Sequence, residues 1–570
     1  MKKDLKLYEV PKIESLQDMV LQSARKYGPK IALEDLNDTP IKSLTFRELL
    51  DHILLFGSAL KQLGLKERTH VALIGENRVQ WSLSYLTLMS FNYVIVPIDK
   101  NLTTNEIMNI IHESDSEAII FSGSYAGIMA DGKNSLKNLK HFICMDATQE
   151  DKEFYMMPEM IRKASPLDPS KMPIINPNDL AEIIFTSGSL GRAKGVMLTQ
   201  RNLASNLMAM TMMININDKD RFLSVLPLHH TYECTCGMLC PLYCGGSVHF
   251  ARSLKTVVDD LQKVQATLLL AVPLLYDKMF KRIMKGIQED KVKSIIVPPL
   301  VKFTNLFTMV GFKEFKKKVF HELHEKFGGS VRIFIAGGAA PDPIVAKGLR
   351  EFGFNFVQGY GLTETSPIVA LNRLDAFKDN AAGLILPGLE VKINNPDEFG
   401  IGEIWVKGPS VMLGYYKNEK ATQDTFDNNW FKTGDIGFFD EDGFLHINGR
   451  KKNVIISKSG KNVFPEEIED VLVRSPFVLE CLVFGEDDPK QGEIISTQIV
   501  VDAEAFIELS ETQKVKITEE LIHKRIAEEI DKTNKELAAH KQIKKFYIRD
   551  NEFEKTTTQK IKRYLVKNPN

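Results

Sequence analysis

The pattern of hydrophobic and polar positions alternates, over the first 380 residues or so, between short apolar runs and longer amphipathic stretches. Each apolar run has four or five residues and is bounded by a helical stretch or by Gly, Asn and Asp. Such runs predict strands that are buried on both faces of mostly parallel sheets and joined by helices. The predicted strands are Val71–Ile74, Val94–Ile98, Ala118–Phe121, Phe142–Met145, Ala181–Phe185, Leu268–Val272, Val331–Ile335 and Phe354–Val357. A helix is predicted to begin after Thr45, because Thr45 and Glu48 have capping-box spacing.

The pattern changes twice in the remaining third of the chain. After about Gly383, short strands such as Gly402–Lys407 and Phe444–Ile447 are separated by Gly, Asn and Asp, which indicates a small β-rich subdomain. From Gly449 the pattern predicts a compact α+β domain with the order helix, strand, strand, helix, strand. These elements are Pro465–Arg474, Cys481–Phe484, Ile494–Val501, Ile517–Ala538 and Phe546–Ile548.

The fold class predicted is therefore α/β, with two domains. Residues 1–449 would form a large N-terminal domain of stacked, mostly parallel α/β sheets together with the small β subdomain. Residues 450–570 would form a small, mobile α+β domain. The polar and charged segment from Gly449 to Asn453 is the predicted hinge.

Composition and charge narrow the function classes. The chain has 570 residues, with 73 Lys and Arg against 74 Asp and Glu, 44% hydrophobic and 26% charged residues. These proportions are typical of a globular protein and exclude a disordered chain. The balanced charge argues against a nucleic-acid binder. No apolar stretch is long enough to span a membrane and no signal core follows the basic start, so we expect a cytoplasmic protein.

Two groups of potential metal ligands have simpler explanations. Cys236, Cys240 and Cys244 recur every four residues in an apolar setting, so we predict one helix face with buried free thiols rather than a zinc site. The adjacent His229 and His230 would point apart on a strand or a helix, which argues against metal binding.

The segment Ile184–Val196 carries the most chemical information. A predicted strand leads into a loop of Thr, Ser and Gly followed by Lys194, a composition that turns backbone N–H groups and one cation toward an anion. It lacks the spacing of the ATPase P-loop, and a Ser/Gly-rich loop alone is more often a simple turn. Three further segments accompany it in order, Gly359–Pro367, Trp430–Asp435 and Gly449–Gly460. Together they resemble the acyl-adenylate-forming enzymes, which include acyl-CoA synthetases, luciferases and nonribosomal adenylation domains.

The resemblance implies an ATP site. The loop would hold the β- and γ-phosphates through Thr186, Ser187, Gly188, Ser189, Gly191 and Lys194. Glu364 would bind Mg²⁺, because a hard cation that bridges phosphates prefers a carboxylate, and Thr363 would contact the α-phosphate. Leu190 departs from the family, which usually has Thr or Ser there, so one hydroxyl is absent.

The resemblance also assigns the nucleoside. Tyr360 would lie against the adenine ring, and Gly338 and Ala339 would let the backbone approach the base. Asp435 would accept hydrogen bonds from the ribose hydroxyls, with Arg450 supporting the same sugar.

The basic C-terminal segment from Lys555 to Arg563 matches the part of the family that carries a catalytic lysine, here Lys560. A lysine that bridges a carboxylate and the α-phosphate lowers the barrier to their reaction electrostatically. The resemblance implies that the small domain then rotates about Lys452. Gly460 would let the pantetheine arm of CoA reach the acyl-adenylate. The simpler interpretation, a solvated basic tail, fits Lys562 and Lys567 well.

His230 matches the family residue that borders the acyl pocket. A long Lys- and Phe-rich insertion follows between Tyr276 and Val331, including Val301–Phe320, and resembles that of long-chain fatty acyl-CoA synthetases. We favour a helix with a solvated basic face over the core. The alternative, in which Phe303, Phe307, Phe312 and Phe315 with Lys313 and Lys316–Lys318 rest on a membrane, stays open.

The function predicted is therefore AMP-forming activation of a medium- to long-chain fatty acid, using ATP and Mg²⁺, with CoA as acceptor. Ligation to an acyl carrier protein and an aryl acid–CoA ligase are the enzyme alternatives. A noncatalytic nucleotide- or acyl-binding homologue is the alternative from another class. The presence of Lys194, Glu364, Asp435, Arg450 and Lys560 argues against the last of these.

Overall fold

Every strand predicted in the first 380 residues overlaps a strand of the computed structural model. The structure describes residues 6–37, 42–133, 136–147, 153–186, 193–309, 315–456, 460–488, 492–556 and 560–566. Its α-helices are α1 (Leu16–Tyr27), α2 (Phe46–Gln62), α3 (Val79–Ser90), α4 (Thr104–Glu113), α5 (Ala126–Gly132), α6 (Met157–Lys163), α7 (Gln200–Met213), α8 (Cys240–Cys244), α9 (Val257–Val264), α10 (Pro273–Glu289), α11 (Lys291–Met309), α12 (Phe315–Val319), α13 (His321–Lys326), α14 (Pro343–Glu351), α15 (Glu419–Thr425), α16 (Pro465–Leu472), α17 (Ala503–Gln513) and α18 (Glu519–Glu536).

The strands alternate with these helices through most of the chain. They are β1 (Ile31–Asp35), β2 (Ser43–Thr45), β3 (His70–Ile74), β4 (Val94–Pro97), β5 (Ala118–Phe121), β6 (His141–Cys144), β7 (Tyr155–Met156), β8 (Leu180–Thr186), β9 (Lys194–Thr199), β10 (Arg221–Ser224), β11 (Ser247–Phe250), β12 (Leu268–Ala271), β13 (Ile333–Ala336), β14 (Asn355–Gly361), β15 (Ile368–Leu371), β16 (Leu384–Ile385), β17 (Glu390–Asn394), β18 (Gly402–Lys407), β19 (Gly414–Tyr415), β20 (Phe426–Asp427), β21 (Trp430–Phe439), β22 (Leu445–Arg450), β23 (Ile455–Ile456), β24 (Asn462–Val463), β25 (Val478–Asp488), β26 (Gly492–Val501) and β27 (Lys545–Arg549).

Two large sheets form the N-terminal part. One has eight strands in the order β19-β9-β8-β4-β3-β5-β6-β7, and the other has nine in the order β16-β15-β14-β13-β12-β10-β11-β1-β2. Pairing is parallel from β4 through β7 and from β14 through β1, whereas β8 and β9 form an antiparallel hairpin. The fold class predicted from the sequence, stacked and mostly parallel α/β sheets, is confirmed.

Helix α3 shows why the two sheets stack. All twelve of its residues are buried, and it contacts β3 and β4 of one sheet and β1 of the other. A helix without a polar face has to be covered on all sides, which two sheets accomplish. Helix α2 begins where the sequence predicts, because the Thr45 hydroxyl accepts from the Glu48 N–H while the Glu48 carboxylate accepts from the Thr45 N–H.

The C-terminal region contains three smaller sheets, of which β23 and β24 form a two-stranded one. Strands β17, β18, β21, β20 and β22 form the five-stranded antiparallel sheet predicted as the β subdomain. Beyond it, β25, β26 and β27 pack against α16 and α18 around a separate core. The sequence interpretation missed α17, which buries only Phe506 and therefore shows little hydrophobic periodicity.

The cysteine cluster differs in geometry from the prediction. Residues Tyr232–Leu239 form a π-helix and only α8 continues with α-helical spacing, so the cysteines do not share one α-helical face. Cys234, Cys236 and Cys240 are buried free thiols and Cys244 is half-buried. Among the described residues, no helix is both long and apolar enough to cross a membrane.

Candidate functional site

Asp435, Arg450 and Tyr360 form a connected polar group. Asp435 and Arg450 are paired across β21 and β22, with Arg450 Nε 2.8 Å from Asp435 Oδ1. The Tyr360 hydroxyl, at the carboxyl end of β14, donates to Asp435 Oδ2 at 2.6 Å. Burial raises the pKa of Asp435, although Arg450 and the Tyr360 hydrogen bond act in the opposite direction. The acids around Arg450 outweigh its burial, so its pKa is also raised.

A second group joins Glu364 to Lys194. Glu364 lies in a short 3₁₀ turn after β14, and its Oε1 accepts a hydrogen bond from the Tyr415 hydroxyl at 2.9 Å. The Nζ of Lys194, at the start of β9, lies 4.6 Å from the centre of the same Tyr415 ring. Thr186 is paired with Lys194 across the β8–β9 hairpin. Tyr415 thus brings a cation and a carboxylate to one place.

The C-terminal tail delivers Lys560 to this place. Its backbone folds back on itself, with the Thr556 N–H bonded to the Lys560 carbonyl and the Lys562 N–H to the Glu554 carbonyl. Burial lowers the pKa of Lys560, Arg450 lowers it further, and the nearby acids Asp435 and Glu364 oppose both effects. Its side chain keeps contact with solvent, so Lys560 lies at the surface of the cleft, within the electrostatic field of both polar groups.

His230 also lies near Lys560. Burial lowers its pKa to about 3, with His229 and Lys560 contributing and Asp99 opposing. The prediction that the two histidine rings point apart is wrong. Residues 227–230 form a turn rather than a strand or a helix, closed by the His230 N–H to the Pro227 carbonyl at 3.1 Å, and the ring centres are 4.2 Å apart.

An apolar cavity adjoins this region. The space inside it that can hold a water-sized group is about 30 Å³, enough for about two waters. The lining includes the side chains of Met210, Ile214, Tyr232, Cys236 and Leu270, with no charged group among the residues that line it. Its apolar lining suits an aliphatic group, and the side chains that line the cavity would have to move apart to admit a long chain.

The structure gives the location and exposure of the other predicted site residues. Gly338 and Ala339 are exposed in the loop that follows β13, beside the β14 strand that carries Tyr360. Thr363 is half-buried in the same 3₁₀ turn as Glu364. Lys452 is exposed in the turn after β22. Gly460 is exposed with φ +75°, a conformation that favours glycine.

Part of the phosphate loop, Ser187, Gly188, Ser189, Leu190 and Gly191, lies outside the described residues. Sequence reasoning missed Tyr415 and Asp99. The ring of Tyr415 contacts two groups that lie 51 and 221 positions away along the chain, so no local spacing marks it. The local signal to look for in comparable chains is a glycine followed by two tyrosines, here Gly414–Tyr416.

Residues 20–416 match the family described as AMP-binding enzyme, and residues 452–568 match the AMP-binding enzyme C-terminal domain. A long-chain-fatty-acid–CoA ligase, FadD15 of Mycobacterium bovis, is 26% identical over 98% of this chain and 96% of its own length. A long-chain-fatty-acid–[acyl-carrier-protein] ligase of Arabidopsis thaliana, AEE15, is 28% identical over 85% of this chain and 76% of its own.

Solved structures share the fold. The anthranilate CoA ligase AuaEII in complex with anthranoyl-AMP superposes with a TM-score of 0.77 at 21% identity, covering 99% of this chain and 98% of its own. ATP-bound MatB from Rhodopseudomonas palustris gives a TM-score of 0.75 at 24% identity, covering 96% and 97%.

Proposed function

The chain belongs to the AMP-binding enzyme family, and we propose that it activates a fatty acid with ATP to give acyl-AMP and pyrophosphate, then transfers the acyl group to CoA. The observation that carries the proposal is the position of Lys560. A lysine from the C-terminal tail lies in the cleft formed by residues more than 100 positions earlier, near Asp435, Glu364 and Arg450. A basic tail that simply faces solvent gives no reason for this proximity to the three site residues.

The chemistry requires such a cation. A carboxylate is a poor electrophile, and its attack on the α-phosphate of ATP brings two anions together. A lysine ammonium between them stabilises the charge that develops in the transition state. In our proposal Lys560 supplies this charge, and AMP later leaves when a thiol attacks the mixed anhydride.

Each of the remaining residues would bind a different part of the nucleotide. Tyr360 would contact adenine, and the backbone at Gly338 and Ala339 would approach the base. Asp435, held by Arg450, would accept from the ribose hydroxyls. Thr363 would contact the α-phosphate. Thr186 and Lys194, together with Ser187, Gly188, Ser189 and Gly191, would bind the β- and γ-phosphates.

Glu364 fits the role of a magnesium ligand. Its half-buried carboxylate is oriented by the Tyr415 hydroxyl on Oε1, and a single carboxylate is typical where Mg²⁺ also binds phosphate oxygens. When bound, Mg²⁺ would neutralise charge on the departing pyrophosphate. The chain's own contribution is to hold Glu364 at the hydroxyl of one tyrosine and Lys194 over the ring of the same tyrosine.

Two steps need two orientations of the small domain. Lys560 in the cleft corresponds to the first step and would obstruct a thiol in the second. We propose a domain boundary at 449/450, rotation about Lys452, and Gly460 on the path of the pantetheine arm. The left-handed conformation of Gly460 and its exposed position support that role.

The uncharged lining of the cavity supports an acid with an apolar tail. We propose that this acid is a fatty acid rather than an aryl acid, and that His230 borders the acyl pocket. The acceptor is CoA in our proposal, and an acyl carrier protein is the alternative. The test is pyrophosphate release with a panel of fatty and aryl acids, with CoA, with carrier protein, or with neither. Release without dependence on any acid would overturn the enzyme proposal, and thioester formation only with carrier protein would replace the acceptor.

We also propose that the protein contacts a membrane through α11. Its apolar side chains form two faces. Val297, Leu300 and Val301 pack toward the core, whereas an opposite row is exposed to solvent. That row shows exposed fractions of 50–74% and consists of Val292, Ile295, Ile296, Phe303 and Leu306. Lys291, Lys293 and Lys302 are exposed on the same helix, so the solvated basic face predicted from the sequence stays a prediction.

The charge around the row favours an anionic bilayer as its occupant. Residues 273–319 contain eleven Lys or Arg and four Asp or Glu, in a chain with a net charge of −1. Apolar side chains with a basic surround are typical of helices that lie in the membrane interface. The phenylalanines predicted for this contact behave differently. Phe307 and Phe315 pack ring to ring at 4.9 Å, and Phe312 and Lys313 lie outside the described residues.

Vesicle flotation tests this contact without any nucleotide. We expect binding to phosphatidylglycerol-containing vesicles, little binding to neutral ones, and at least tenfold weaker binding after Ile295→Gln with Phe303→Gln. The matched control replaces two exposed apolar residues elsewhere, Ile174 and Phe399, with Gln. Equal loss in the control pair, or equal binding to neutral vesicles, would overturn the contact.

A further inference from the structure

Asp99, His229 and His230 form a cluster that the proposed reaction does not use in full. Each offers one ligand atom, and these atoms all lie within 4.8 Å of one another. Asp99 follows β4 of the eight-stranded sheet, whereas the histidines follow β10 of the nine-stranded sheet. The cluster therefore bridges the two sheets beside Lys560.

The Nε2 atom of His229 is the unusual member. It is buried and makes no hydrogen bond, and a carboxylate oxygen of Asp99 lies 3.5 Å away. The side chain of His229 is only 9% exposed. A buried polar atom without a partner costs free energy, so its retention points to a ligand that the cluster accepts.

The surroundings hold the ligand atoms in place. Asp99 Oδ1 accepts from the Asn101 N–H at 2.9 Å, which leaves Oδ2 facing His229. The turn that carries the histidines is fixed by Asn77, whose side chain accepts from the Leu228 N–H and donates to the Leu226 carbonyl at 2.6 Å. Such outer contacts orient the residues that bind a metal.

We propose that Asp99, His229 and His230 bind a divalent transition-metal cation of the zinc class, and that this cation and Lys560 disfavour each other. Two imidazoles and one carboxylate are a common donor set for Zn²⁺ with one open position. Donor atoms around a tetrahedral zinc lie about 3.4 Å apart, given bond lengths of about 2.1 Å. Small side-chain rotations bring the cluster to that geometry.

The antagonism follows from position and charge. Lys560 is close enough to influence His230 electrostatically, and a dication beside it adds like charge. Linkage makes the effect reciprocal. Loss of the lysine charge should therefore tighten cation binding by the same factor by which the cation weakens the placement of Lys560.

The test is a titration of the full-length, nucleotide-free protein with Co²⁺, which reports tetrahedral coordination through intense visible absorption. We expect one Co²⁺ per chain, at least tenfold weaker binding after His229→Gln, and tighter binding after Lys560→Gln. His112→Gln is the matched control, because His112 is exposed. Unchanged binding in His229→Gln, a sulfur-to-cobalt charge-transfer band, or no tetrahedral spectrum would overturn the proposal.

A second measurement rests on the proposed function. Zn²⁺ should inhibit acid-dependent pyrophosphate release by the wild type and by His112→Gln, with the inhibition weakened at least tenfold in His229→Gln relative to its own uninhibited rate. If no acid supports release, the proposed function fails while the Co²⁺ titration still decides the metal site. Equal inhibition of all three proteins would overturn the antagonism.

Discussion

Replacing Lys560 with alanine should separate the two half-reactions. The tail places this one ammonium group in the cleft near Asp435, Glu364 and Arg450. Removing a single group that stabilises the transition state in this way costs about 10²–10³ in rate, or about 2.7–4 kcal/mol. We expect acyl-AMP formation to fall by about that factor.

Thioester formation from supplied acyl-AMP should respond differently, because the anhydride is already formed and the lysine has left the cleft. Its rate should change by less than about threefold, which corresponds to under about 0.7 kcal/mol. The assays are pyrophosphate release in the absence of CoA and acyl-CoA formation from synthetic acyl-AMP.

Lys562→Ala provides the matched control. It removes a lysine two positions away. The charge of Lys562 lowers the pKa of Glu106 in α4 rather than acting on the site. Both half-reactions should stay close to the wild-type rates. An equal fall of both half-reactions in Lys560→Ala, or an equal fall in the two lysine variants, would refute the division of roles.

Three further predictions concern titration and packing. The alkaline limb of adenylation should lie below the ordinary lysine pKa of 10.5, since burial lowers the pKa of Lys560 and the active form is protonated; a limb at or above 10.5 would contradict this. Burial raises the pKa of Glu233 from 4.5 to about 8, so its protonated form stabilises the fold below 4.5 and that stability is lost as the pH rises to 8. Glu233→Gln should therefore gain up to a few kcal/mol over the wild type between pH 5 and pH 8 in denaturant unfolding, and a constant difference would contradict this. Cys236→Phe should fill the apolar cavity and slow pyrophosphate release with long acids at least tenfold more than with short ones, and an equal loss for all acids would contradict this.

The sequence predicts best where the cause is local. Capping-box chemistry at Thr45 and Glu48 places the start of α2 correctly, because both hydrogen bonds are made within four residues. The buried strands follow from runs of apolar residues, since a parallel strand covered on both faces needs no polar positions. Helix α17 escapes the same reasoning because it buries little more than Phe506.

Prediction fails where the geometry depends on the rest of the fold. The spacing of the cysteines assumes 3.6 residues per turn, and the π-helix at Tyr232–Leu239 breaks that assumption. The divergence expected of His229 and His230 holds for a strand or a helix, but the chain turns there because Asn77 fixes the loop from another element. Family resemblance supplies roles for single residues, and it does not reveal the partners that position them.

The ring of Tyr415 has a consequence for the construction of hybrid enzymes from relatives. Its strand, β19, pairs with β9, so that Gly414 faces Met197, and its side chain serves Lys194 on one face and Glu364 at its hydroxyl. A hybrid that takes residues 193–199 from one parent and residues 412–416 from another would pair two contact surfaces that evolved separately. Hybrids should exchange these two segments as a unit, although more than 200 residues separate them along the chain.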